Sequence, residues 1–263
     1  MMALIHHLVA GSGLPPIVFV HGFGCSSSDW LAQIEHFSPR NMTVAVDLPG
    51  HGATPPPTEP ASIALGGREV VALVEALCLP PAVFVGHSMG CRVVLEAALR
   101  APERVAAIVL LDGSRFPPHS DRAFEGRFAA GGYLDLVRGM FGQMFTASSD
   151  PKTVDAALRR ALTVPEQVGK AFMLSMVRYD SDMLASALER VGKPLLVLQT
   201  TFINDQRERT SIAAGQTTPY LEFIRTMVPG ARIEALAGLG HFPQIETPAE
   251  INRVLTDFIA TLA

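Results

Sequence analysis

Residues 86–90 read Gly-His-Ser-Met-Gly, a serine with a glycine two positions away on either side. A serine hydroxyl is a weak nucleophile at neutral pH. It attacks an acyl carbon only when a base takes its proton and an acid orients that base. The flanking residues suggest how such a serine is held. Val83, Phe84 and Val85 form a continuous apolar run, the pattern of a buried strand. Beyond Ser88 the apolar residues Met89, Val93, Val94, Ala97 and Ala98 recur at helical spacing, with Arg92, Glu96 and Arg100 on the other face. A strand that becomes a helix within one or two residues forces Ser88 into a strained backbone conformation. Gly86 and Gly90 are then required, because side chains there would collide with the strand or the helix. The pattern predicts a hydroxyl presented at a sheet edge, beside the free N–H groups of a helix N-terminus.

Eight histidines compete for the role of base. His6 and His7 lie in a strand-like segment, and His36 and His119 read as surface or loop residues. His87 adjoins Ser88 and is expected to point away from it. His21 precedes the turn Gly22-Phe23-Gly24, and His51 sits in the glycine-bearing loop 47–52. His241 remains, in the segment LAGLGHFPQIETP, with Gly238 and Gly240 free to swing it inward after a strand that ends near the same edge.

These residues need a scaffold, and the chain alternates strand and helix patterns. Strands are expected at 15–22, 42–52, 83–85, 104–114, 193–199 and 231–238, and helices at 27–37, 61–77, 89–99, 220–228 and 248–262. The helix 61–77 is expected to be loosened by Gly66 and Gly67. Such alternation predicts an α/β fold, a mostly parallel central sheet with helices on both faces. The stretch between Gly113 and Lys193 is too long for a plain connection and carries helical patterns. The expected organisation is a core of residues 1–113 and 191–263, with a helical cap or lid over 114–190. Its Met and Phe residues, Met140, Met144, Phe172 and Met176 among them, form its own core and in part face a pocket.

Composition limits the function classes. Apolar residues make up 48% of the 263 and charged residues 17%, as in an ordered globular protein. A net charge of -4, without a basic stripe, argues against nucleic acid or an anionic membrane as partner. The segment MMALIHHLVAGSG lacks a basic region and a long apolar run, so the expectation is no secretory signal and a cytoplasmic location. Cys25, Cys78 and Cys91 form no C-x-x-C pair, so no metal site, no disulfide and no cofactor are expected. Cys78 and Cys91 fit the core, and Cys25 follows a turn where it would line a pocket.

The segments HGFG, DLPGHG, GHSMG and GLGHFPQIETP, in this order, resemble the α/β-hydrolase superfamily over nearly the whole chain. The resemblance implies Ser88 as nucleophile, His241 as base, and an oxyanion hole formed by the backbone N–H groups of Phe23 and Met89. His21 and His51 match positions that brace the loops. Members that open epoxides or displace halide carry aspartate where Ser88 stands, and the HGFG turn differs from the three-glycine turn of the hormone-sensitive-lipase branch. Family order places the acid between serine and histidine, which leaves two candidates. Asp112 ends the strand AAIVLL. Asp205 lies in QTTFINDQRERT, two residues beyond the position at which most members carry the acid and where this chain has Ile203. A strand end holds a carboxylate more rigidly than a polar loop, which favours Asp112. The implied activity is a carboxylesterase acting on a small to medium apolar ester. The alternatives are a C–C bond hydrolase of ring-cleavage products, a cofactor-free perhydrolase, and a ligand-binding receptor on the same fold.

Overall fold

Ile17, Val18, Phe19 and Val20 are all fully buried, and they divide between two cores. Val18 and Val20 join one, Ile17 and Phe19 the other. A strand covered on both faces needs an apolar residue at every position, hence a run without alternation. The structure, a computed structural model, describes residues 4–117, 120–204, 206 and 208–262, so His119 and Asp205 lie outside the described residues.

The strands are β1 (His7–Ala10), β2 (Ile17–Val20), β3 (Thr43–Val46), β4 (Ala82–His87), β5 (Val105–Leu111), β6 (Leu195–Gln199), β7 (Thr201–Ile203), β8 (Arg209–Ser211) and β9 (Arg232–Ala235). Seven of them form one sheet in the order β1-β3-β2-β4-β5-β6-β9. Only β1 runs antiparallel to its neighbour. One face is covered by α1 (Leu31–Phe37) and, after the short α10 (Pro243–Glu246), by α11 (Pro248–Ala260), through Phe37, Ile251, Val254, Leu255 and Phe258. The other is covered by α2 (Ile63–Ala76), α3 (Met89–Arg100) and α9 (Pro219–Met227). The chain leaves β2 toward β3 on one side and returns to β4 on the other. Connections diverge there, opening a crevice at the carboxyl ends of β2 and β4.

Between β5 and β6 stand α4 (Ser120–Gly131), α5 (Tyr133–Gly142), α6 (Pro151–Ala161), α7 (Glu166–Asp182) and α8 (Leu184–Arg190). Phe141, Phe172, Met173 and Met176 share one continuous core with Phe23 and Met89. Two ion pairs fasten this segment down, a half-buried one from Arg160 to Asp29 at 2.6 Å and a buried one from Arg92 to Asp180 at 2.6 Å.

Several expectations need correcting. Arg92 and Glu96 do not face solvent, being 2% and 8% exposed, because α2, α7 and α8 surround α3. Gly66 and Gly67 do not loosen α2, which is continuous from Ile63 to Ala76. A Cβ at Gly67 would strike the Glu96 side chain, so the glycine lets α2 and α3 pack closely. Cys78 is exposed just beyond the end of α2, at φ 51°, and not in the core. The first residues of the predicted helix 27–37 form a 3₁₀ turn, Ser27–Trp30. The polar stretch after β6 is the antiparallel hairpin β7–β8. Its residues are mostly half-buried, which is why its sequence lacks an apolar run.

Candidate active site

Ser88 alone separates β4 from α3, at φ 54° and ψ -112°. A non-glycine residue in this region costs about 1–3 kcal/mol and persists only where its surroundings hold it. Here Ser88 N donates to Leu111 O at 3.0 Å, and Ser88 O accepts from Cys91 N at 3.1 Å. The flanking glycines leave the space the turn needs: a Cβ at Gly86 would strike the Gly90 carbonyl, and one at Gly90 the Val20 carbonyl. The serine is half-buried while His87 and Met89 beside it are fully buried.

His241 closes over this serine from the loop after β9. Its Nε2 lies 2.9 Å from Ser88 Oγ and its Nδ1 2.5 Å from Asp112 Oδ2. The ionised carboxylate only accepts, so Nδ1 carries the proton and Nε2 is left to accept from the serine hydroxyl. The position of His241 is set by its own N–H, which donates to Met144 O at 2.7 Å, and by its carbonyl, which accepts from His87 Nε2 at 2.7 Å.

Asp112 follows β5 at φ 45° and is fully buried. Its Oδ1 accepts from the N–H groups of Thr200 and Thr201 at 2.8 and 2.7 Å, and Oδ2 from Thr201 Oγ1 at 2.5 Å. Burial alone would raise its pKa; the bond and charge of His241, then Arg209 and the Thr201 hydroxyl, hold it below the usual carboxylate value. The His241 imidazole moves the other way, down to about 4. Burial is the main cause and the Arg209 charge the second, while Asp112 pulls upward. The neutral imidazole therefore predominates from mildly acidic pH upward, the form that can take a proton.

Two cavities adjoin the site. The smaller, about 30 Å³, is lined by Phe23, Ser88, Met176 and His241 among others. A chamber of about 430 Å³ lies beside it, and Phe116, Met140, Met144 and Arg209 line both. Met89 begins α3, so its N–H has no intrahelical partner. The Phe23 N–H donates to no protein acceptor among the described residues. His21 fixes the turn that carries Phe23: its Nδ1 donates to Gly22 O at 2.7 Å and its Nε2 accepts from Leu48 N at 3.0 Å.

Of the residues singled out in the sequence, Ser88, His241 and Asp112 are brought together, with Phe23 lining the small cavity and Met89 following Ser88 as the first residue of α3. Asp205 lies outside the described residues. His87 is not turned out of the site as expected; its ring packs 4.7 Å from that of His241 and lines the small cavity. Arg209, Thr200 and Thr201 carried no local signal, since their polar stretch reads as a solvated loop. Cys25 lines the small cavity, and burial pushes its thiol pKa well up, away from the reactive thiolate. Among the described residues no group of three or more His, Cys, Asp or Glu is placed to hold a metal ion, and no helix is long and apolar enough to cross a membrane.

The sequence profile of the alpha/beta hydrolase family matches residues 17–254. Over 95% of its length the chain is 24% identical to the dihydrolipoyllysine-residue acetyltransferase component of an acetoin cleaving system from Pseudomonas putida. It spans only 65% of that protein, and 63% of the like-named one from Cupriavidus necator. It is 25% identical to the pimeloyl-acyl-carrier-protein methyl ester esterase of Xanthomonas oryzae pv. oryzae, across 98% of this chain and 100% of that protein. Among solved structures, a thermophilic esterase from Thermogutta terrifontis superposes with a TM-score of 0.81 at 21% identity, covering 98% of this chain and 93% of that one. That likeness is one of fold.

Proposed function

Because the chain belongs to the alpha/beta hydrolase family, we propose that it is a serine carboxylesterase that cleaves its substrate through an acyl-enzyme. The observation that carries this reading is the unbroken relay from Ser88 Oγ through His241 to Asp112, at 2.9 and 2.5 Å. Ser88 Oγ attacks the ester carbonyl as its proton passes to His241 Nε2, and Asp112 stabilises the imidazolium. The N–H groups of Phe23 and Met89 receive the oxyanion, each worth about 10²–10³ in rate. The imidazolium then protonates the leaving alcohol. Water, deprotonated by the same nitrogen, releases the acid and restores the serine. Similarity to an esterase over 98% of this chain and the whole of that protein supports an ester as substrate.

In this reading residues 114–190 form a cap over the site. Phe116, Met140, Met144 and Met176 bring apolar surface to the cavities, so the cap selects the acyl or alcohol group. Hydrolysis of p-nitrophenyl esters of rising acyl length tests the activity and the preference together. The expected result is turnover without added metal or cofactor and a clear optimum of chain length. No turnover of any ester, with the protein folded, would favour a ligand-binding role instead.

The pH profile is a second check. His241 acts only as the neutral base, and burial followed by the Arg209 charge holds its pKa at about 4. Activity should therefore be present above that value and lost as the pH falls through it. For a neutral ester the acid limb of kcat/KM should have its midpoint below 6.5, the pKa of free imidazole. A midpoint at or above 6.5 contradicts the electrostatic environment described for the base.

A further inference from the structure

Arg209 reaches the relay at Asp112. Its side chain is 11% exposed, and Nη1 donates to Thr201 Oγ1 at 2.7 Å while lying 3.6 Å from Asp112 Oδ2. Asp112 does not take up the guanidinium's donors. Both its oxygens are already served by Thr200 N, Thr201 N, Thr201 Oγ1 and His241 Nδ1. A guanidinium has five N–H donors, and only the one to Thr201 is used on a protein side chain among the described residues. The same side chain lines both cavities, at the neck between the reaction centre and the chamber.

Among the described residues no carboxylate lines the small cavity. Its other cation, Arg92, is neutralised by Asp180 through two bonds of 2.7 and 2.6 Å. In the chamber Asp135 is paired with Arg138 at 2.9 Å, and Arg127 stands at an exposed position. Among the described residues Arg209 is thus the largely buried cation without a hydrogen-bonded carboxylate that faces the reaction space, among Phe116, Met140 and Met144. Its carboxylate partner, Asp112 at 3.6 Å, is too far for a hydrogen bond and is shared with His241, and a charge in such apolar surroundings is costly unless it is closely paired. Its field also opposes protonation of His241, a handicap for an enzyme that handles only neutral esters. An anion bound at Arg209 offsets both costs.

We propose that Arg209 recognises the substrate, and that the ester cleaved at Ser88 bears a carboxylate which this guanidinium binds at the neck. One planar guanidinium suits one planar monoanion, in bidentate fashion. The small cavity, about 30 Å³, has room for little more than the reacting group, so the carboxylate sits a few carbon atoms from the ester carbonyl. The substrate class is the half-ester of a short dicarboxylic acid. This assignment rests on the esterase reading of Ser88.

The test compares mono-p-nitrophenyl glutarate with p-nitrophenyl valerate, which has the same acyl length without the charge. The wild-type protein should favour the glutarate ester by about tenfold or more in kcat/KM. In Arg209→Gln that preference should disappear, chiefly through KM for the glutarate ester, and Arg209→Lys should recover part of it. Equal losses on both esters would overturn the proposal and make Arg209 only a support for Asp112. A wild-type preference for valerate would overturn it too. A second measurement does not need turnover: calorimetric binding of glutarate to Ser88→Ala, compared with Ser88→Ala/Arg209→Gln. Binding that requires Arg209 supports the anion site even if Ser88 proves not to be a nucleophile; no binding to Ser88→Ala at millimolar glutarate refutes it.

Discussion

Replacing Ser88 by alanine should lower ester hydrolysis by about 10⁴-fold or more while leaving the protein folded. The loss is large because the hydroxyl is the covalent participant, and no other oxygen nucleophile is held on His241 Nε2. Water admitted in its place would lack the fixed position that makes the attack effectively unimolecular. The fold should survive because among the described residues the Ser88 side chain bonds only to His241, and the strained turn is held by backbone bonds to Leu111 and Cys91. Rates of the purified variant, measured beside its thermal melt, check both halves. A folded variant retaining a tenth of wild-type activity would remove Ser88 from the mechanism.

Asp112→Asn is the second large effect, an expected fall in kcat of about 10²- to 10⁴-fold. The direction follows from the two ends of the carboxylate. Oδ1 accepts from two backbone N–H groups, Thr200 and Thr201, so the asparagine carbonyl must take that position. Its NH₂ group then occupies the place of Oδ2 and donates toward His241 Nδ1. The imidazole must accept there, its proton moves to Nε2, and Nε2 can no longer take the serine proton. The substitution therefore fixes the unreactive tautomer while changing the shape of the site very little. Asp205→Asn is the comparison and should stay within a few-fold of wild type. The reverse pattern would transfer the acid role to Asp205. Both variants should be shown to fold before their rates are compared.

The sheet was readable because a parallel strand buried on both faces leaves an unbroken apolar run, as at Ile17–Val20 and Val105–Leu111. The serine turn was readable because Gly86 and Gly90 are forced by backbone atoms that approach within a few residues or from the adjacent strand. The surroundings of Asp112 were harder to read, since they depend on which strands are neighbours. Once β5 pairs with β6, the two N–H groups that follow β6 face the residue that follows β5. Nothing in the letters QTTFINDQRERT announces that its threonines cradle a carboxylate donated by another strand. Arg92 misled for a related reason: a charged side chain is assumed solvated until its partner is known, and Asp180 is distant in sequence. His87 was misjudged because alternation along a strand gives the face but not the rotation of the ring that ends it.

Covalent labelling asks the molecule outright whether Ser88 is a nucleophile activated by His241. The protein would be incubated with a fluorophosphonate, which phosphonylates only an activated serine, and then examined by intact-mass and peptide-mapping spectrometry. One adduct per chain is expected, on Ser88, absent from Ser88→Ala and formed far more slowly in Asp112→Asn. A folded wild-type protein that remains unlabelled, or carries the adduct on another residue, would contradict that role for Ser88.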